Sequence, residues 1–170
     1  VLQAHIHLAS QVFPEGTTGN SLDAITRSCL WNAGIDFGHG TGHGVGAFLN
    51  VHEGPQGISP FSSDVALQAG MVLSNEPGYY ESGWGGIRLE NLYVIKKAKG
   101  YQQHPAGKEW LCFETLTLIP FDRKLIDINY LSPFEIKWLD EYHHQVLREI
   151  NPLLDNPLDI QWLKLACGVD

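Results

Sequence analysis

Two histidines, His39 and His43, lie among five glycines in residues 38–46. Glycine has a poor helix propensity and lets the backbone approach a bound group closely. Imidazole is the commonest metal ligand among side chains and the usual proton carrier near neutral pH. A tight connection without function would account for the glycines but not for the histidines. The segment therefore indicates a functional loop.

Two glutamates follow in segments that predict β-strands. Glu76 comes one residue after the mostly apolar residues 71–74 and directly before a proline, which stops a strand's hydrogen-bond ladder. Glu90 lies in residues 87–95, whose two faces are both largely apolar, so we expect a central strand and a buried carboxylate. Each glutamate alone has a structural alternative: Glu76 facing solvent, or Glu90 in an ion pair with Arg88.

Adjacent antiparallel strands would bring Glu76 and Glu90 to one point. One imidazole and several carboxylates make a hard, oxygen-rich site, suited to Mn2+, Co2+ or Zn2+ rather than to a thiolate-bound zinc ion. A carboxylate that bridges two cations lets both act on one water, lower its pKa and stabilise the oxyanion of an attacked peptide carbonyl. The residues thus predict part of a metal-dependent hydrolase site.

The elements that must position these residues indicate an α+β domain. The spacing predicts an opening helix that ends before Pro14, a second helix from Asn20 or Ser21 to Gly34, and strands over residues 71–74, 87–95 and 116–119.

A mostly helical tail follows, which predicts a second region of the chain. Ser132 and Glu135 predict a capping box. That helix is expected to bury an aromatic stripe, and a shorter helix is expected from about Pro157 to Ala166. The residues expected to face inward are Phe134, Trp138, Tyr142, Val146, Trp162, Leu163 and Ala166. A boundary near residues 108–113 divides the chain into residues 1–110 and 111–170.

Composition excludes several classes of function. A net charge of −8 argues against a nucleic-acid partner, and no apolar run approaches the roughly 18 residues that span a membrane. The three cysteines, Cys29, Cys112 and Cys167, are far apart and form no disulfide framework, so we expect a reducing, cytoplasmic location. Because the chain opens within a helical pattern, we also expect it to be a piece of a longer protein.

Four linked motifs together resemble the metallopeptidases of the pita-bread fold, and most closely the Xaa-Pro aminopeptidases. They are residues 39–46 (HGTGHGVG), 51–55 (VHEGP), 75–80 (NEPGYY) and 86–91 (GIRLEN). The likeness covers about residues 1–95, and the tail, with residues 113–118 (FETLTL), resembles the C-terminal extension of the longer members. It implies a partial pita-bread fold with an antiparallel sheet, followed by that extension.

The resemblance also implies residue roles at a two-metal site. His43, Glu76 and Glu90 would be metal ligands for two divalent ions, Mn2+ before Co2+ or Zn2+. Glu90 would bridge the ions, and Glu76 would lie beside the attacking hydroxide and handle its proton.

Four further residues match positions around the substrate in that family. His39 and His52 would line the substrate site and hydrogen-bond the peptide or the tetrahedral intermediate. Arg88 and Tyr80 would orient ligands and protons.

The implied reaction removes the N-terminal residue from peptides with proline at the second position, in an enzyme expected to be a homodimer. The proline nitrogen carries no hydrogen, so ordinary aminopeptidases cleave this bond poorly. A prolidase acting on Xaa-Pro dipeptides is an alternative, as is a metal-free peptide-binding pseudoenzyme. A structural module that dimerises through its aromatic tail is a third.

The sequence departs from the family in one respect. The family also uses two aspartates on neighbouring strands upstream of the first histidine, whereas here only Asp23 and Asp36 precede His39, and neither fits that pair. A further upstream histidine is also missing. We therefore expect these residues to be the C-terminal piece of an enzyme, with weak metal affinity and no activity alone.

Overall fold

The computed structural model describes residues 1–61 and 64–168, which form two compact units, Val1–Leu116 and the chain from Thr117 onward. The first unit is α+β, as predicted. Its elements in chain order are α1 (Leu2–Ala9), β1 (Val12–Pro14), α2 (Gly19–Trp31), β2 (Gly42–His43), β3 (Gly57–Ile58), β4 (Val72–Asn75), β5 (Gly78–Glu81), β6 (Gly85–Arg88), β7 (Asn91–Lys97) and β8 (Trp110–Thr115).

The main sheet of this unit is antiparallel, with strand order β1-β8-β7-β4. The ladder between β4 and β7 runs from the pair Val72 and Val94 to the pair Asn75 and Asn91. Two small antiparallel pairs, β2 with β3 and β5 with β6, stand beside it. The end of the β4–β7 ladder is therefore the place where the residues next to both asparagines come together.

An apolar core holds the first unit together. Side chains from the two helices and the strands bury a continuous cluster, composed of Leu8, Phe13, Leu22, Ile58, Leu67, Leu73, Ile95 and Leu111. Full burial of each such side chain is worth about 1.5–3 kcal/mol. This core fixes β4 and β7, and with them the ends that carry the polar residues.

The second unit is helical. It contains α3 (Pro133–Ile150), α4 (Pro157–Cys167) and three short 3-10 turns at Arg123–Leu125, Ile128–Tyr130 and Asn151–Leu153. The predicted capping box of α3 is confirmed, with Ser132 and Glu135 each accepting a hydrogen bond from the other's backbone N–H. Across residues 1–61 and 64–168, no helix is both long and apolar enough to cross a membrane.

The predicted inward stripe of the tail is only partly right. Tyr142 and Val146 are buried, and Trp138 stacks on Tyr142. Phe134 is 53% exposed and Trp162 is 61% exposed, so their predicted burial is wrong. Along α3, side chains at four-residue steps drift around the helix, because an α-helix has 3.6 residues per turn, and Phe134 at the start of the stripe therefore faces outward.

The predicted nine-residue strand over residues 87–95 is wrong, because the chain changes partners in its middle. Strand β6 pairs with β5, whereas β7 pairs with β4 and β8, and Leu89 and Glu90 lie between the two ladders. Glu90 is exposed, contrary to the prediction that it is buried in a central strand.

The predicted strand over residues 116–119 is also wrong. The ladder between β7 and β8 ends at the pair Tyr93 and Thr115. Beyond it, the Tyr142 hydroxyl donates to the carbonyls of Thr117 and Ile119, so these residues bond to a helix side chain instead of a strand. Strand β1 was not predicted, and α2 begins earlier than predicted, since its N-cap residue is Thr18.

Candidate metal centre

His43 is held beside β4 by close backbone packing. Its N–H donates to Ser74 Oγ at 2.9 Å, and the N–H of Glu76 donates to the Thr41 carbonyl at 2.7 Å. A Cβ atom on Gly42 would lie 1.9 Å from the Ser74 carbonyl oxygen, so only glycine fits there. The glycine preceding His43 is thus required by the approach of β2 to β4.

Glu76 and Glu90 come together because they flank the last pair of the β4–β7 ladder. Glu76 follows Asn75, Glu90 precedes Asn91, and these asparagines face each other. Glu76 is 9% exposed. The predicted convergence of the two carboxylates is therefore observed just beyond the strands rather than within them.

His43, Glu76 and Glu90 form one cluster. Each offers a ligand atom, and these atoms all lie within 4.8 Å of one another. Within residues 1–61 and 64–168, no other set of three or more histidine, cysteine or acidic side chains is grouped in this way. The structure thus brings together the three residues for which the sequence analysis expected a metal-binding role.

The tautomer of the neutral His43 ring follows from its contact with the backbone. Its Nδ1 lies 2.9 Å from the Gly44 carbonyl, which can only accept, so Nδ1 carries the hydrogen. In the neutral ring the Nε2 lone pair then faces Glu76 Oε1 at 3.2 Å. Two acceptors at this separation repel each other, unless a proton or a metal cation lies between them.

The distances and the donor set both fit a divalent metal ion. Metal bonds of about 2.1 Å at angles of about 90–109° put neighbouring ligand atoms about 3.0–3.4 Å apart. The observed 3.2 Å between His43 Nε2 and Glu76 Oε1 falls in that range. One imidazole and two carboxylates are the donors that manganese, cobalt and zinc accept.

Ser74 was missed by the sequence analysis, although it contacts two of the three clustered residues. Its hydroxyl donates to Glu76 Oε1 at 3.1 Å and accepts the His43 N–H. On the other side of the carboxylate, Arg88 Nε lies 3.6 Å from Glu76 Oε2. A buried serine at the end of an apolar strand was the signal that could have identified it.

His39, Tyr80 and Arg88 form a second group next to the first. His39 Nδ1 donates to the Gly40 carbonyl at 2.7 Å, so its Nε2 is an acceptor. Tyr80 Oη donates to that Nε2 at 2.8 Å, and Arg88 Nη2 lies 3.3 Å from it. Since Arg88 also approaches Glu76, it connects the predicted substrate-side histidine with the metal cluster.

His52 lies beside His43, with ring centroids 4.1 Å apart in an edge-to-face arrangement. Both rings line an open cleft of about 330 Å3, together with Gln56, Ser59 and Phe61. All seven residues singled out by the sequence are therefore placed around one region. His52 is exposed, whereas His43 is partly buried.

Asp23 and Asp36 are engaged elsewhere. Arg27, which is 5% exposed, donates to Asp23 Oδ2 at 2.7 Å and to Asp36 Oδ1 at 2.8 Å. It also donates to the backbone carbonyl of His39, and Thr41 Oγ1 donates to Asp23 at 2.6 Å. This buried network anchors the glycine-rich loop to α2. The i,i+4 spacing of Asp23 and Arg27 was a sequence signal for it.

Comparison with known proteins places this geometry in a family context. Residues 1–97 match metallopeptidase family M24, and residues 109–168 match the C-terminal region of peptidase M24. A probable Xaa-Pro aminopeptidase P of Coprinopsis cinerea is 49% identical over 167 residues, which are 96% of this chain and 27% of that protein. Aminopeptidase P2 of Arabidopsis thaliana is 50% identical over 164 residues, 96% of this chain and 23% of that protein.

A solved structure is similar over nearly all of the chain. It is an X-prolyl aminopeptidase from Caenorhabditis elegans, described as a cytosolic enzyme with a di-nuclear active site. The TM-score is 0.90 at 43% identity, covering 98% of this chain and 27% of that protein. The α+β architecture is accordingly that of a partial pita-bread fold. The chain spans about a quarter of the length of the curated relatives it matches.

Proposed function

This chain belongs to metallopeptidase family M24, and on that premise we propose that it supplies the histidine-and-glutamate part of a two-metal aminopeptidase site. The proposed reaction is removal of the N-terminal residue from peptides with proline at the second position. The names of the fungal and plant relatives support this substrate class. The observation that carries the proposal is the convergence of His43, Glu76 and Glu90 within 4.8 Å.

We propose that these three residues bind two divalent ions, with Glu90 shared between them. The donor set favours Mn2+, with Co2+ or Zn2+ as alternatives. When bound, such a pair lowers the pKa of a water molecule and stabilises the oxyanion of a peptide carbonyl under attack.

The missing ligands are proposed to be two aspartates outside these 170 residues. Asp23 and Asp36 are poor candidates, because Arg27 holds both carboxylates. With only part of the ligand set, the 170-residue polypeptide is expected to bind metal weakly and to be inactive alone.

The other residues of the site are proposed to orient the Glu76 carboxylate and to bind the substrate peptide. Ser74 and Arg88 hold the two oxygens of Glu76, so that its carboxylate is oriented to accept a proton. His39, with its Nε2 facing Tyr80 and Arg88, is proposed to hydrogen-bond the substrate peptide. His52 extends the same lining along the cleft beside His43.

Substrate choice tests this proposal against its alternatives. Full-length protein would be incubated in the presence of Mn2+ with one peptide at a time: Ala-Pro-Ala, Ala-Pro or Ala-Ala-Ala. The products would be separated by chromatography. Release of alanine and Pro-Ala from the first peptide, with little cleavage of the third, is expected. Cleavage of Ala-Pro but not of either tripeptide would identify a prolidase. No cleavage and no bound cation would favour a metal-free peptide-binding protein.

We also propose a cytoplasmic location and a homodimeric assembly for the full-length protein. The location follows the description of the Caenorhabditis elegans enzyme as cytosolic. The assembly follows the resemblance to Xaa-Pro aminopeptidases. Cell fractionation and light scattering of the purified protein test the two statements separately.

A further inference from the structure

His5 lies on α1 and is completely buried, with 0% exposure. Its Nδ1 is 3.2 Å from the Leu89 carbonyl, and its Nε2 is 3.0 Å from the Tyr93 hydroxyl. Since a carbonyl can only accept, Nδ1 carries the hydrogen and donates it, and Nε2 accepts from Tyr93. Burial lowers the pKa of His5 to about 4, so the ring is neutral near pH 7.

The two residues that His5 bonds through its side chain flank Glu90. Leu89 precedes Glu90 in the stretch between β6 and β7, and Tyr93 follows in β7. The backbone of His5 is tied to the other carboxylate, because Asn75 Nδ2, one residue before Glu76, donates to the His5 carbonyl at 2.9 Å.

Leu89 and Glu90 belong to neither ladder, so no sheet partner fixes their backbone direction. The Leu89 N–H donates to the Pro77 carbonyl at 3.4 Å, and the Leu89 carbonyl accepts from His5. An unpaired carbonyl in this partly buried place would destabilise the fold, because it would lose its hydrogen bonds to water without a replacement. The His5 side chain therefore satisfies the carbonyl at the bend.

We propose that His5 is a positioning residue for the metal cluster: its bond to the Leu89 carbonyl fixes the bend that turns Glu90 toward His43 and Glu76. The inference rests on the proposed metal-binding function. His5 is not among the residues that line the cleft. Its effect is transmitted through one backbone carbonyl.

Two amide substitutions separate the roles of the two nitrogens of His5. In His5→Asn the amide nitrogen lies near the position of Nδ1 and keeps the donor to Leu89. In His5→Gln the amide lies near the position of Nε2 and keeps only the contact with Tyr93. Tyr93→Phe is a matched control, because it removes the Nε2 partner and leaves the Nδ1 donor in place.

The affinity of full-length protein for Mn2+ would be measured by competition with a chelating dye, alongside unfolding of the metal-free variants in urea. His5→Gln is expected to weaken Mn2+ binding about 10–100-fold, the range seen when outer contacts of ligands are removed. His5→Asn and Tyr93→Phe are expected to stay within about threefold of the unsubstituted protein.

Three results would overturn the inference. One is His5→Gln binding Mn2+ as tightly as the unsubstituted protein. Another is equal loss in His5→Asn and His5→Gln. The third is a loss of Mn2+ affinity above about tenfold in both Tyr93→Phe and His5→Asn when these variants are folded. This third result decides the matter even if His5→Gln does not fold. Unsubstituted protein that binds no Mn2+ would refute the proposed function itself, and this inference with it.

Discussion

Replacing Gly42 by alanine tests how closely the metal cluster depends on backbone packing. The added Cβ would lie 1.9 Å from the Ser74 carbonyl oxygen, whereas ordinary contacts begin at 3.4 Å. Strands β2 and β4 must therefore separate by about 1.5 Å, since rigid backbone lies on the far side of the contact. His43 follows Gly42 directly, so its imidazole moves away from Glu76.

The cost of this separation is felt in stability and in metal affinity. Forcing extra volume into a packed site lowers the free energy of unfolding by about 1–3 kcal/mol. Metal–ligand distances must be held to about 0.2 Å. A shift of His43 by about 1.5 Å is therefore expected to weaken Mn2+ binding more than about tenfold. Urea unfolding of metal-free protein gives the first quantity, and Mn2+ titration gives the second.

Gly38→Ala is the matched control in the same loop. Its added Cβ meets no atom within 4 Å. The free energy of unfolding is expected to be unchanged or to rise by roughly a few tenths of a kcal/mol, because alanine restricts the unfolded chain more than glycine does. The affinity for Mn2+ is expected to be unaltered. If Gly42→Ala matched Gly38→Ala in both measurements, the argument from close packing would be refuted.

Three further predictions concern other parts of the chain. Arg27→Met leaves buried Asp23 uncompensated and should cost about 3–5 kcal/mol in urea unfolding; Asp36→Asn, at a half-exposed partner, should cost under about 1 kcal/mol, and equal losses would contradict this. Tyr80→Phe should lower kcat about 2–10-fold without changing metal content, by removing one hydrogen bond to His39; lost metal would contradict it. Burial, aided by the charge of Arg123, lowers the pKa of His143 to about 4, below the ordinary value of about 6.5. As the pH drops from about 6.5 to 4, the unfolded chain therefore binds the proton first, and the free energy of unfolding should fall by of the order of 3 kcal/mol. In His143→Gln this pH dependence of stability should vanish.

Local patterns in the sequence predicted the parts of the fold that depend on local interactions. The capping box at Ser132 and Glu135 involves residues three apart, and it forms as predicted. The alternation over residues 87–95 is equally regular, but alternation does not reveal that the chain changes partners at Leu89. The exposure of Glu90 follows from that exchange, which depends on β4 and β5 earlier in the chain.

The clustered residues were predicted from their types and from the family resemblance, whereas the groups that hold them were not. Glu76 and Glu90 stood out because a carboxylate is expensive in an apolar segment, and the resemblance to the metallopeptidases selected His43 among the neighbouring histidines. Ser74 and His5 act through contacts that join distant parts of the chain, such as the 84-residue separation between His5 and Leu89. A single sequence does not display such pairs.

Anomalous diffraction from crystals of the full-length protein grown with Mn2+ would locate the metal ions relative to these side chains. Two manganese peaks are expected, one within about 2.3 Å of His43 Nε2 and both within about 2.3 Å of Glu90 oxygens, with Glu76 also bound. Manganese bound elsewhere, or peaks that contact none of these three side chains, would contradict it.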